Sequence, residues 1–175
     1  LHEQIKHLFE LNQKISQDAV NLTNALKGDK KLQGNWGEVV LERILEASGL
    51  RKGEQYITQS AFQNDDGDKQ VPDVIVKLPD NKDVVIDAKV SLVAYEAFFN
   101  APEEDQRQQA LKEHLAALQN HIRTLSDKRY DALEGVNTLD YVLLFVPIEG
   151  AFLVALQEDR DMFSRAFDKN IVLVS

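Results

Sequence analysis

Two apolar runs separated by a turn dominate the middle of the chain: Pro72-Asp73-Val74-Ile75-Val76-Lys77-Leu78 and, beyond Pro79-Asp80-Asn81-Lys82, Asp83-Val84-Val85-Ile86-Asp87-Ala88-Lys89-Val90. β-Branched residues bounded by turn formers predict strands over 73–78 and 84–90, paired as a β-hairpin. Upstream, Trp36, Val40, Ile44 and Ala47 recur at helical spacing with Val39, Leu41 and Leu45 beside them, and Gly49 follows. This predicts a buried helix over 36–47. Residues 56–62 suit a first strand. Asn64-Asp65-Asp66-Gly67-Asp68 then reads as a turn, since its acids do not run on to the glutamate that an EF-hand loop requires.

Beyond the hairpin, residues 92–99 have helical spacing, and Pro102 with Glu103, Glu104 and Asp105 opens a long helix expected to reach about residue 133. Leu111, Leu115, Leu118, Ile122 and Leu125 form its apolar stripe. The run 141–146 predicts a central strand, 152–156 and 162–167 read as helical, and 171–174 reads as a closing strand. A hairpin, then helices, then two strands with a helical crossover imply an α/β fold with three layers and a mixed sheet.

The first residues follow another rule. Leu1, Ile5, Leu8, Asn12, Ile15, Ala19, Leu22 and Leu26 are spaced alternately by four and three. That seam suits a coiled coil whose Asn12 sets the register, and residues 1–27 would then join copies into a homo-oligomer. It equally suits an amphipathic helix lying on its own core, which Phe9 and Leu11 outside the seam favour. Gly28-Asp29-Lys30-Lys31 breaks the pattern, so residues 1–30 are read as a helical or coiled-coil segment and 31–175 as a globular domain.

With 43% hydrophobic and 28% charged residues among 175, the chain has material for one domain with a sizeable core. No apolar run approaches the roughly 20 residues of a membrane span. The chain opens on Leu1 without a signal sequence, and is expected to be a piece of a longer protein. The lack of cysteine excludes disulfides and thiolate metal sites and fits a reducing, cytoplasmic compartment. A net charge of -9 excludes a broad basic surface for nucleic acid, so contact with DNA must be focal or bridged by metal.

Within that limit the hairpin carries the chemistry. It brings Asp73, opening one strand, beside Asp87, closing the next, while Asp87 and Lys89 share a strand face and Ala88 turns to the other. Two carboxylates and a backbone carbonyl can hold a divalent cation, and a nearby lysine can orient water for phosphodiester hydrolysis. The competing explanation treats the acids as turn formers and Asp87 with Lys89 as a solvent-facing pair. Against it, Asp87 interrupts an apolar strand, where a charge needs a partner. Glu38, beside the packing glycine Gly37, offers a third acid, with Glu42 one turn on as its competitor. Lys112, His114, His121, Arg123, Lys128 and Arg129 form either phosphate contacts or a solvated face, and His114 and His121, seven apart, are too far separated for helical zinc chelation. Glu149 suits a helix start. No phosphate-binding loop, dinucleotide fingerprint or serine elbow is present, so no small-molecule cofactor is expected.

Taken in order, Gly34-Asn35-Trp36-Gly37-Glu38, Pro72-Asp73, Asp87-Ala88-Lys89-Val90-Ser91, His121-Ile122-Arg123-Thr124-Leu125-Ser126 and Val146-Pro147-Ile148-Glu149-Gly150-Ala151 resemble the RmuC family of bacterial DNA recombination proteins. The resemblance implies a restriction-endonuclease-like core of the PD-(D/E)xK type. Asp73, Asp87, Glu38 and the Ala88 carbonyl would be metal ligands and Lys89 the catalytic lysine. It further implies a Mg- or Mn-dependent endo- or exodeoxyribonuclease acting at hairpin or branched DNA and limiting rearrangement at inverted repeats. The parent protein would be anchored in the inner membrane, facing the cytoplasm. The rival expectation is a noncatalytic DNA-binding scaffold that keeps the fold and self-associates through its coiled coil.

Overall fold

The computed structural model describes residues 30–175 except 64–66, 68, 89–90, 131–132 and 134. The seam expected over residues 1–27, the tip of the acidic turn and Lys89 lie outside the described residues.

Among the described residues, helix α1, Lys30–Ala47, precedes seven strands. β1 (Tyr56–Thr58), β4 (Val74–Leu78), β5 (Lys82–Asp87), β6 (Thr138–Phe145) and β7 (Ile171–Val174) form one mixed sheet in that order. β2 (Phe62–Gln63) and β3 (Lys69–Gln70) make a small antiparallel pair. β1, β4 and β5 run antiparallel in turn, whereas β6 lies parallel to β5 and β7 parallel to β6. The parallel step requires a crossover, supplied by α2 (Val93–Asn100) and α3 (Glu104–Asp127). The return to β7 uses α4 (Glu149–Glu158) and α5 (Met162–Phe167).

Strand periodicity sorts the side chains into two cores. Ile75, Val85, Val142, Leu144 and Leu173 face Leu118, Ile122 and Leu125 of α3 together with Met162 and Ala166 of α5. Their neighbours Val74, Val76, Val84, Ile86 and Phe145 face Leu41 and Leu45 of α1. The fold is therefore α/β in three layers, with α1 on one side of the mixed sheet and the later helices on the other. Trp36, near the start of α1, packs against the opposite core, so the helix reaches past the strand ends.

Several boundaries differ from the pattern reading. α1 starts at Lys30, six residues before Trp36, because the two lysines read as a break are good helix formers. The expected first strand splits at Gln59, whose φ of 47° is left-handed. α3 stops at Asp127 rather than near 133, since Arg129 at φ 48° turns the chain away. β5 ends at Asp87, and the last two positions of the strand expected over 84–90 lie outside the described residues. At the other end of β5, buried Asp83 accepts the Asn137 N–H at 3.0 Å and pairs with Lys77 at 3.0 Å, bracing the hairpin against the start of β6.

Candidate metal and nucleic-acid site

The β4–β5 register pairs Val74 with Ile86, so the next positions outward, Asp73 and Asp87, stand opposite each other at the strand ends. Directly opposed residues project to one face with Cβ atoms about 5 Å apart. Parity assigns both to the α3 side, with Ile75 and Val85. Both are buried, at 3% and 1% exposure. Asp73 Oδ2 accepts the Ala88 N–H at 2.8 Å, which places its carboxylate against the peptide that follows Asp87.

Asp87 is held from α3. The His121 Nε2–H donates to Oδ1 at 2.9 Å, and Lys128 Nζ, just past the helix end, donates to Oδ2 at 3.2 Å. Burial pushes the Asp87 carboxyl up, but the His121 bond and the Lys128 charge outweigh it and hold the group below its ordinary value. Burial likewise pushes the Lys128 ammonium down, and the opposing charge of Asp87 turns the net shift upward, so both members stay ionised at neutral pH. The Lys128 ammonium also lies 5.3 Å from the centroid of the Tyr130 ring.

The opposite layer reaches the same strand end through glycine. A Cβ at Gly37 would stand 2.8 Å from the Ala88 carbonyl oxygen, so only the bare backbone lets α1 lie this close to the peptide after Asp87. Next along the helix, Glu38 is buried, and its Oε2 accepts from Gln59 Nε2. Gln59 also donates its backbone N–H to the Asp73 carbonyl at 3.1 Å, linking the stretch that bears Asp73 to Glu38. Glu42, the competing acid, binds Lys52 at 2.8 Å instead.

These placements divide the expected residues. Asp73, Asp87 and the Ala88 backbone come together, with Glu38 tied to them through Gln59. His121 and Lys128 turn toward Asp87 rather than outward, whereas Lys112, Arg123 and Arg129 are exposed, Arg123 donating to Asn120. His114 belongs to neither group. It is buried at 1% exposure, its Nε2–H donates to the Ala151 carbonyl at 2.8 Å, and burial lowers its pKa, which removes it from the phosphate-contact set. Glu149 starts α4, as its position suggested. Gln59 was missed by pattern reading, its special φ being invisible in sequence. A signal for His121 and Lys128 did exist, because His114, Leu118, His121, Leu125 and Lys128 follow the buried stripe at alternating four and three.

Among the described residues no three His, Asp or Glu side chains converge as a metal cage. Asp73 and Asp87 nevertheless match what Mg takes, one or two carboxylates with water completing the shell. The oxygen-only donor set fits a hard cation.

Set beside known proteins, the whole chain, residues 1–175, matches the RmuC family. The chain belongs to that family. It is 55% identical over 175 residues to the DNA recombination protein RmuC of Escherichia coli K12, covering 100% of this chain and 37% of that protein. The DNA recombination protein RmuC homolog of Vibrio cholerae is 55% identical over all of this chain and 34% of its own length. For the homolog of Pseudomonas aeruginosa the figures are 51% identity and 38% of that protein. The chain thus spans little more than a third of these RmuC proteins. No solved structure matches it significantly. Among the described residues no helix is long and apolar enough to cross a membrane.

Proposed function

We propose that this chain is the DNA-processing core of an RmuC-type recombination protein, a Mg- or Mn-dependent deoxyribonuclease domain with a restriction-endonuclease-like fold. The observation that carries the reading is the opposition of buried Asp73 and Asp87 at the ends of β4 and β5, with the Ala88 amide fixing Asp73. A helix, three antiparallel strands, a helical crossover and a parallel strand, in that order, support the fold assignment. The family's printed name, DNA recombination protein, supports DNA as partner.

In this reading Asp73 and Asp87 hold the cation, Glu38 supports them from α1, and Lys89 orients the attacking water. The cation, when bound, lowers the pKa of that water and offsets charge on the phosphate. Exposed Lys112, Arg123 and Arg129 meet the DNA backbone, a focal contact consistent with the acidic net charge. Residues 1–27 join copies of the chain, and the parent protein works on the cytoplasmic side of the membrane that anchors it.

The test is incubation with single-stranded, duplex and hairpin DNA in Mg, beside Asp87→Ala and Lys89→Ala. Cleavage that both variants retain would sink the assignment. The second reading, a noncatalytic DNA-binding scaffold, is favoured by one observation: Asp87 already holds a hydrogen bond from His121 and an ion pair with Lys128. Full DNA binding without Mn uptake or cleavage would select it.

A further inference from the structure

We infer that Lys128 is an internal counter-ion that competes with a divalent cation for Asp87, so that loading the site requires the ammonium to leave the carboxylate. The inference rests on the metal-dependent reading above and adds its regulation.

The two partners differ in freedom. Asp87 has a side chain 1% exposed on a central strand, whereas the Lys128 side chain is 36% exposed. Lys128 caps the end of α3, its backbone N–H donating to the carbonyls of Leu125 and Ser126, and Arg129 turns left-handed immediately after it. The acid is thus enclosed on its strand, whereas the lysine is a partly exposed arm at a helix end. A buried carboxylate without a counter-charge is costly, which gives the ammonium a role whenever the cation is absent. Once a divalent ion binds the same carboxylate, the ammonium becomes a like charge a few Å away. The Tyr130 ring, 5.3 Å from Nζ, already shares the ammonium with Asp87 through a cation–π contact and would keep that contact when the carboxylate is lost. His121 holds Oδ1 and Lys128 holds Oδ2, so a cation drawn to this carboxylate would meet the ammonium there. Lys128 is accordingly a positioning residue whose signature lies in cation affinity rather than turnover.

The test is Mn titration calorimetry on the whole chain, with thermal melts in parallel. Lys128→Gln keeps a hydrogen-bond donor but removes the charge, and should bind Mn roughly tenfold tighter, the scale of one unit charge removed a few Å from a divalent ion in largely screened surroundings. Its Mn-induced rise in Tm should exceed that of the wild type. Lys128→Arg restores the charge and should bind as weakly as the wild type, and Asp87→Asn should abolish uptake. Wild-type uptake left unchanged or weakened in Lys128→Gln overturns the counter-ion role while leaving the metal site standing. Should Lys128→Gln fail to fold, tighter binding by Lys128→Arg than by wild type overturns it equally. Absence of uptake in wild type and Lys128→Gln alike removes both the role and the metal-dependent reading.

Discussion

Gly37→Ala sets two effects of opposite sign against each other at one atom. Replacing a helical glycine by alanine raises helix propensity by about 1 kcal/mol. Here, however, the new methyl would stand 2.8 Å from the Ala88 carbonyl oxygen, with Pro147 Cγ at 3.6 Å. An ordinary contact needs about 3.4 Å, so either α1 or the end of β5 must give by roughly 0.6 Å, and such overpacking costs about 1–3 kcal/mol. The obstacle is backbone, which a rotamer change cannot relieve. The expected net is a loss of about 1 kcal/mol, a fall in Tm of about 2–4 °C for a chain of this size. Gly37→Val should lose more, having lower helix propensity and a larger overlap. Urea and thermal denaturation measure the loss. Hydrogen exchange at the Ala88 amide, bonded to Asp73, should accelerate in step if the strain lands on the acid-bearing strand end. An alanine variant as stable as the wild type or more so would show that α1 does not rest on this peptide.

Other outcomes follow from the same contacts. Asp73→Ala should lose about 1–3 kcal/mol in urea by leaving the Ala88 N–H unmet, and Asp73→Asn, which still accepts, should recover most of it; equal losses would refute the role of the bond. Because the native Asp87 pKa lies below 3.8, its stabilisation should be complete above that pH and vanish as pH falls through the lowered native value, so wild-type and Asp87→Asn stabilities should converge in acid; a constant gap refutes this. His114 is held neutral by burial with its pKa under 6.5, so the unfolded chain takes up a proton that the native state refuses, and stability should fall as pH drops below about 6.5; parallel wild-type and His114→Gln urea midpoints between about pH 7.5 and 5.5 refute it. Light scattering of the full chain against one starting at Lys30 should show a larger assembly only for the full chain, and equal monomer masses exclude the seam over residues 1–27.

Elements whose pattern was local were legible in the sequence. The valines and isoleucines around Asp73 and Asp87 specify the hairpin, and the helix Met162–Phe167 and strand Ile171–Val174 fall where their periodicities predict. Boundaries set by unusual backbone angles were not. Gln59 and Arg129 carry no glycine or proline signal, yet their positive φ values end a strand and turn the chain beyond a helix. For the site, sequence identified the acids but not what surrounds them. The stripe spacing through Leu118, His121 and Leu125 sends Lys128 toward the sheet, but nothing local names Asp87, 41 residues earlier, as the group it meets. Which strand residue a side chain on that stripe meets is fixed only by the tilt of the helix against the sheet.

The turn between β4 and β5 has a bearing on chemistry it never touches. Asp80 and Asn81, at φ 63° and 55°, close the link from Pro79 to Asn81 and thereby fix which residue of β5 faces which residue of β4. They stand some six residues, about 20 Å, from Asp87. Parity alone sends Asp87 to the α3 side and Ala88 into the aliphatic layer beneath α1. One residue gained or lost in that turn, if absorbed by sliding β5, would exchange them, driving a carboxylate into the valine and leucine core and leaving a methyl group to face His121 and Lys128. The length of a surface turn is therefore a counting device for the acids, and loop insertions that would be harmless elsewhere in the domain are forbidden there.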